Sequence, residues 1–269
     1  MRNFEIRELE KDEQFDPTIL AKNVPFTQAD FYGSWQKHLK RTVKRFTILL
    51  DGETIAYFQI IKYSLLLGKH YFYIPYGPVT KDVSDDFFLF LKKEIKRISK
   101  NENGVFTRLD FTPSVSNSAL SKFFTRAPLY TYHSAYFQPR MEWFLGLGKT
   151  ENELLMDMHE KTRYSIRLAE KKEIRVEIIT EDYEKYLSVF CDLMEGTAKR
   201  NGFSLHTRSY YEHIFKNLEK NNSYLSVAKF GDTILAIDLI IVYSGIANYV
   251  FGGSSNEERN RMPTYLAQW

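Results

Sequence analysis

The segment Lys161-Thr162-Arg163-Tyr164-Ser165-Ile166-Arg167-Leu168-Ala169-Glu170-Lys171-Lys172 holds five positive charges against one negative. Arg163, Arg167 and Lys171 recur every four residues, which puts them in one stripe on a helix, while Ile166 and Ala169 can face a core. A guanidinium stripe suits phosphate oxygens, because its planar fork binds them bidentately. A solvated basic face has the same composition. Asp110 ends the run Thr107-Arg108-Leu109-Asp110. Its carboxylate could receive an amine or cap the Thr-Pro-Ser turn that follows, and the residues alone leave both open. Asp238 interrupts the apolar run Ile234 to Ile241, where a structural hydrogen bond is expected of it. Tyr210 and Tyr211 read as a helical aromatic pair with one ring in the core.

Other chemistries find no support. Cys191 falls on the apolar face of a helix and reads as a small core residue. His206 has no Gly-x-Ser-x-Gly elbow to serve. The six His are scattered without metal-ligand spacing. Neither a GxGxxG nor a P-loop is present. Covalent catalysis, metal hydrolysis and dinucleotide chemistry are not expected, and no metal or cofactor is called for.

The elements that must position these residues follow from patterning. Phe4 to Arg7 opens as a strand, and Asp30 to Lys40 reads as a helix with Asp30 at its N-cap. Phe46 to Leu50 and Thr54 to Tyr63 flank Asp51-Gly52, a strong hairpin signal. His70 to Ile74 is a strand running into Pro75-Tyr76-Gly77-Pro78. Phe87, Phe88, Leu91, Ile95 and Ile98 mark an amphipathic helix, and Phe106 to Asp110 a buried strand. The second half repeats the order: strand Arg175 to Ile179, helix Asp182 to Arg200 stopped by Gly202, helix Thr207 to Leu218, strand Tyr224 to Phe230, then Gly231-Asp232 turning into Thr233 to Tyr243. Gly52-Glu53-Thr54-Ile55 aligns with Gly231-Asp232-Thr233-Ile234. The strand ends Tyr73-Ile74-Pro75-Tyr76-Gly77 and Tyr249-Val250-Phe251-Gly252 align with one inserted residue. Two α/β (α+β) domains of similar topology with mixed sheets are therefore expected, over 1–145 and 146–269. Ligands in such folds sit at sheet ends, which points to the two Tyr-aromatic-Gly strand ends.

Bulk composition narrows the class. The 269 residues carry 37 Lys+Arg against 34 Asp+Glu, a net charge of +3, with 43% hydrophobic and 26% charged residues. These proportions exclude wholesale disorder, collagen and disulfide-rich frameworks, and +3 is too little to coat nucleic acid by bulk charge. The 21 Phe, 18 Tyr and 3 Trp are a high aromatic load, enough for a core and a lined groove. A single Cys suits a reducing compartment. The charged start MRNFEIRELEKDEQ lacks an apolar stretch for a signal peptide. Thr233 to Phe251 is interrupted by Asp238, Ser244, Gly245 and Asn248, so it reads as two strands and not as a membrane span. A cytoplasmic monomer is expected.

The basic segment resembles the central signature of the FemABX peptidyltransferases. Four further stretches agree in order: Tyr73 to Val79; Arg108-Leu109-Asp110; Thr197 to Phe203 with Tyr210-Tyr211; and Tyr249 to Ser255. Met262 to Trp269 resembles the family's next helix. The resemblance implies two tandem GNAT-like domains. It also implies transfer of an amino acid from aminoacyl-tRNA to the stem-peptide amino group of a peptidoglycan precursor, either lipid II or UDP-MurNAc-pentapeptide. Peripheral membrane contact through lipid II would accompany the former. The short interval from Tyr211 to Tyr224 leaves no room for the helical hairpin of some members, so the compact FemX-like type is implied.

Carried over by position, the resemblance assigns Asp110 and Tyr211 to the precursor. Phe251 stands where the family usually has Tyr. A family Arg falls at Thr207 or, with a one-residue shift, Arg208, and a first-domain Lys falls nearest Lys37, after Gln28 and Tyr32. Lys161, Arg163, Arg167 and Lys171 are the candidates for tRNA phosphates. Relatives continue beyond the point matching Trp269 with a strand, a Gly-rich turn and a Phe-Lys pair linked to catalysis. A truncated second domain is therefore expected, and no catalytic residue is assigned. Three alternatives stay open: an acyl-CoA-dependent N-acyltransferase, a tRNA-dependent transferase acting on protein N-termini, and a non-catalytic precursor- or RNA-binding relative. Against the first, Gly252 to Glu258 lacks a pyrophosphate-cradling Gly-x-Gly pattern and adds acid.

Overall fold

A computed structural model describes residues 2–112, 120–125, 138–139 and 142–269. The chain divides into two units, Met1–Glu142 and Trp143–Trp269. In the first, β1 (Phe4–Glu8), β2 (Thr42–Leu50), β3 (Glu53–Ser64), β4 (His70–Ile74) and β6 (Gly104–Leu109) form a sheet in that order, with β5 (Val79–Thr80) paired to β3. Only the β4–β6 pair is parallel among the described strands. The β2–β3 hairpin turns where its sequence directs, with Asp51 at φ 50° and Gly52 at φ 86°, as a tight two-residue turn requires.

Alternation along these strands sorts their side chains onto two faces. Phe46, Ile48, Phe58, Ile60, Phe72 and Ile74 pack with Phe87, Phe88, Leu91, Ile95 and Ile98 of α2 (Asp85–Asn101). Ser84 caps α2 by accepting from the Phe87 N–H. The other face meets α1 (Asp30–His38), whose Gly33 lies against Gln59 and Val43. Two expectations need correcting here. Ala29, not Asp30, is the N-cap of α1, because the Asp30 carboxylate is taken by Arg45 at 2.9 Å. β6 is not buried: it pairs with β4 on one side only, at the end of the described sheet, and Val105 and Phe106 are exposed.

In the second unit β7 (Arg175–Ile179), β8 (Ser223–Phe230), β9 (Thr233–Tyr243) and β10 (Ile246–Ser254) form an antiparallel sheet. α3 (Glu151–Asp157) opens on a capping box between Thr150 and Glu153. α4 (Glu160–Lys171) and α7 (Pro263–Gln268) cover one sheet face through Ala169, Ala228, Ala236 and Ala267. On the other face lies α5 (Leu187–Asn201), ended by Gly202 at φ 72°. α6 (Arg208–Phe215) follows, and a short turn over 216–222 leads into β8. The expected helix from Asp182 is a 3₁₀ turn over Tyr183–Tyr186 before α5, because Asp182 sits at φ 55° and cannot cap it. Among the described residues no helix is long and apolar enough to cross a membrane.

Candidate functional site

Asp110 sits just past the C-terminal end of β6, where its N–H donates to the Ile74 carbonyl at 3.1 Å and keeps β4 and β6 zipped to their ends. The Tyr73 hydroxyl donates to Asp110 Oδ2 at 2.6 Å, and Arg108 Nε to Oδ1 at 3.3 Å. Gln138 Nε2 in turn donates to the Tyr73 oxygen at 3.1 Å. Burial, reinforced by Asp110, raises the Tyr73 phenol above its ordinary range, so it acts as a neutral donor. One oxygen of the carboxylate is thus steered by a phenol and the other by a guanidinium, leaving further lone pairs for a ligand. Beside them, Tyr76 at φ 45° donates to Glu142 at 2.8 Å.

The strand end carrying Tyr73 and Tyr76 is anchored from below. Gln28 Nε2 and Thr27 Oγ1 both donate to the Pro75 carbonyl, at 2.5 and 3.2 Å, and the Gln59 N–H donates to Gln28 Oε1 at 2.9 Å. A Cβ on Gly77 would meet Gln28 Nε2 at 2.7 Å, so glycine permits this approach. Lys37 is exposed on the last turn of α1, on the helix that covers the Tyr73 face of the sheet. A row that sequence reading missed crosses the same face. Arg41 lies over Tyr63 at 4.4 Å, Tyr63 stacks on Tyr71 at 4.7 Å, and Tyr71 on Phe106 at 5.2 Å. Its signal was the period-two spacing of Phe106, Arg108 and Asp110 beside Tyr71 and Tyr73.

In the second unit the structure brings Tyr211 and Phe251 together. Tyr211 on α6 is buried, its ring 5.5 Å from that of Phe251 at 89° and 5.6 Å from that of Phe190. Burial raises its phenol above the ordinary range. His206 stacks on Tyr210 at 4.0 Å and completes the cluster. Thr207 is spent on the fold: its Oγ1 caps α6, accepting from the Tyr210 N–H. Arg208 donates to Ser188 Oγ at 3.1 Å and lies 3.9 Å from both Asp192 and Glu212.

Behind Phe251 a clamp fixes the end of β10. Thr197 Oγ1 accepts from the Ser254 N–H at 2.9 Å. Arg200 donates to the Ser254 carbonyl, the Ser254 hydroxyl and Asn256 Oδ1, at 3.3, 2.9 and 2.8 Å. A Cβ on Gly253 would lie 2.7 Å from α5 backbone at Leu193 and Met194. On the opposite face, Asp238 pairs with Gly252 in register and accepts from Gln268 Nε2 at 2.7 Å, the structural hydrogen bond expected of it. Burial pushes its carboxyl up to about 6, against the lowering effect of Gln268. Cys191 is buried, as expected.

The basic stripe lies on α4, but its members differ. Arg163 turns back to donate to the carbonyls of Met156, at 3.3 Å, and Met158. Lys161, Arg167 and Lys171 are exposed. Thr162 and Ile166 of the same helix, with Thr264, Tyr265, Gln268 and Trp269, line a mainly apolar pocket of about 340 Å³. Among the described residues no His, Cys, Asp and Glu group has metal-binding geometry.

Residues 129–231 match the model of the FemAB family. The lipid II:glycine glycyltransferase of Staphylococcus aureus is 31% identical over 134 residues, covering 50% of this chain and 28% of that protein. Its counterpart in Staphylococcus epidermidis is 34% identical over 86 residues, 32% of this chain and 20% of that protein. The matched stretch thus spans less than a third of either relative. The crystal structure of FemX superposes with a TM-score of 0.79 at 19% identity, over 95% of this chain and 83% of that one, which establishes the shared fold. Over residues 129–231, then, this chain is similar to the FemAB family, and the motifs noted in its sequence fall in the order that resemblance implies.

Proposed function

We propose that this chain is the core of an aminoacyltransferase that moves an amino acid from aminoacyl-tRNA to the stem-peptide amino group of a peptidoglycan precursor. The observation that supports this most directly is the oriented carboxylate of Asp110, in a chain whose relatives are lipid II:glycine glycyltransferases. The reaction breaks the ester between amino acid and ribose and forms an amide, with the amine proton passing finally to the ribose oxygen. The ester is already activated, so no covalent intermediate is required of the protein. The acceptor amine must be neutral when it attacks.

Each unit carries its own candidates: in the first, Asp110 offers the precursor the lone pairs that Tyr73 and Arg108 leave open; in the second, Tyr211 with Phe251 offers an aromatic wall. Lys37 and Arg208 are cations for the precursor, and Thr207 contributes indirectly by setting the start of α6. Lys161, Arg167 and Lys171 face tRNA phosphates, with Arg163 shaping the turn before them. Most of the rate comes from holding ester and amine together.

The test is incubation with mixed charged tRNAs and either UDP-MurNAc-pentapeptide or lipid II, followed by product mass. An added aminoacyl residue on the precursor supports the reading. Absence of product with every tRNA, alongside transfer from acetyl-CoA, would overturn it. Replacing Arg167 and Lys171 by Ala should weaken tRNA binding and flatten its salt dependence.

A further inference from the structure

The turn between β3 and β4 presents three leucines to solvent: Leu65, Leu66 and Leu67 are 41%, 87% and 97% exposed. This is a built turn. The Leu65 N–H donates to the Lys69 carbonyl at 2.8 Å and the Lys69 N–H to the Leu66 carbonyl at 3.2 Å. Leu67 is held at φ 58° and Gly68 at φ 66°, a conformation that a leucine rarely adopts. The chain therefore accepts backbone strain to keep apolar side chains pointing outward.

The surroundings of the turn are basic. Lys69 lies within it, and Lys40 precedes β2, whose first residue pairs with Lys62 near the end of β3. Lys100 lies in the last turn of α2, near Asn103, whose carbonyl accepts from the His70 N–H at 3.3 Å. Two acids at this end, Glu102 and Glu8, are balanced by Lys44 and Lys62: Glu102 lies 2.7 and 3.0 Å from the two lysines and Glu8 3.4 Å from Lys44. Directly behind stand Tyr63 and Tyr71, amphipathic rings of the kind that favour a water–lipid boundary.

A narrow apolar tip cannot bury the roughly 800 Å² per partner of a standard protein interface. A bilayer needs no such shape match: it takes leucines among its acyl chains while a basic rim reads anionic headgroups. We propose that the β3–β4 turn seats the first unit on an anionic membrane surface, with Leu66 and Leu67 inserted and Lys40, Lys69 and Lys100 on the headgroups. This deepens the functional reading above by favouring a lipid-linked acceptor, since the turn adjoins the strand that carries Tyr73.

The test is co-sedimentation of the full chain with phosphatidylcholine vesicles, with and without phosphatidylglycerol. Binding is expected only with the anionic lipid. Leu66→Ser with Leu67→Ser should lower the partition at least about tenfold, and Lys40→Gln with Lys69→Gln by a similar factor. An unchanged urea midpoint would show that both variants fold. Failure of the parent chain to bind either vesicle, or binding indifferent to the leucines, would overturn the proposal. So would a vesicle-free dimer abolished by the leucine pair. Transfer to detergent-solubilised lipid II and to soluble UDP-MurNAc-pentapeptide, both measured in parallel without vesicles, separates the two readings. A chain that transfers but ignores vesicles refutes membrane docking alone; one that binds vesicles but transfers nothing refutes the transferase.

Discussion

The ends of β4 and β10 have related sequences and opposite constructions. At Tyr73 a phenol is wired to a carboxylate, a guanidinium and an amide, so the strand end presents oriented charge. At Phe251, which aligns with Tyr76, the ring has no hydroxyl and leans on Tyr211, Tyr210 and His206, while the polar work is done behind it by Thr197 and Arg200. The first end is anchored by side chains of an upstream turn, the second by Thr197 and Arg200 of α5 and by the close approach to α5 that Gly253 permits. Repeated topology thus fixes where a strand ends but not what that end offers a ligand.

The sharpest way to break the contrast is Gly253→Ala. A methyl group 2.7 Å from the α5 backbone cannot be absorbed by a rotamer change. We expect a loss of about 3 kcal/mol in urea unfolding. A loss below about 1 kcal/mol would mean that α5 is not held by this contact. Next comes Asp238, behind the same strand end. Its folded pKa of about 6 lies above its ordinary value of 3.8, so the native state holds the proton more tightly than the unfolded state between those values. Stability from this group is full below about pH 4 and is lost as pH rises towards 6. Asp238→Asn should therefore gain on the parent by about 2–3 kcal/mol between pH 4 and pH 7. Parallel stability curves for the two proteins would contradict this.

Tyr73→Phe tests the polar end. It strips one donor from Asp110 and leaves Gln138 without its acceptor, for about 2 kcal/mol in stability. Transfer should fall more than stability requires, through weaker binding of the precursor in kinetic assays. Phe251→Tyr is the smallest change, expected to cost within about 1 kcal/mol. If it raised precursor affinity while Tyr73→Phe left it unchanged, the two ends would have exchanged the roles assigned to them.

Much of this was legible in the chain. Asp51-Gly52 and Gly231-Asp232 place both hairpins, and the Phe87 to Ile98 periodicity places α2, because turn chemistry and helical spacing are local signals. The family motifs marked Asp110, Tyr211 and Phe251. What stayed hidden depends on distant partners. Arg200 reads as one more basic residue until Ser254, 54 residues on, comes beside it. Arg163 has the same spacing as Arg167, yet only Arg163 sits over the unpaired carbonyls that end α3. An apolar run cannot announce that its strand lies at the edge of the described sheet, so β6 read as buried.

Along β4, Tyr71 and Tyr73 share one face, and Phe72 and Ile74 the other. A one-residue slip of this strand would exchange the two sets. Phe72 and Ile74 would lose α2, the row from Arg41 to Phe106 would open, and Asp110 would lose its phenol in the same event. The number of residues between Ser64 and His70 therefore bears on whether Tyr73 reaches Asp110, and an insertion or deletion there that shifted the β3–β4 register would undo that pairing without changing either residue.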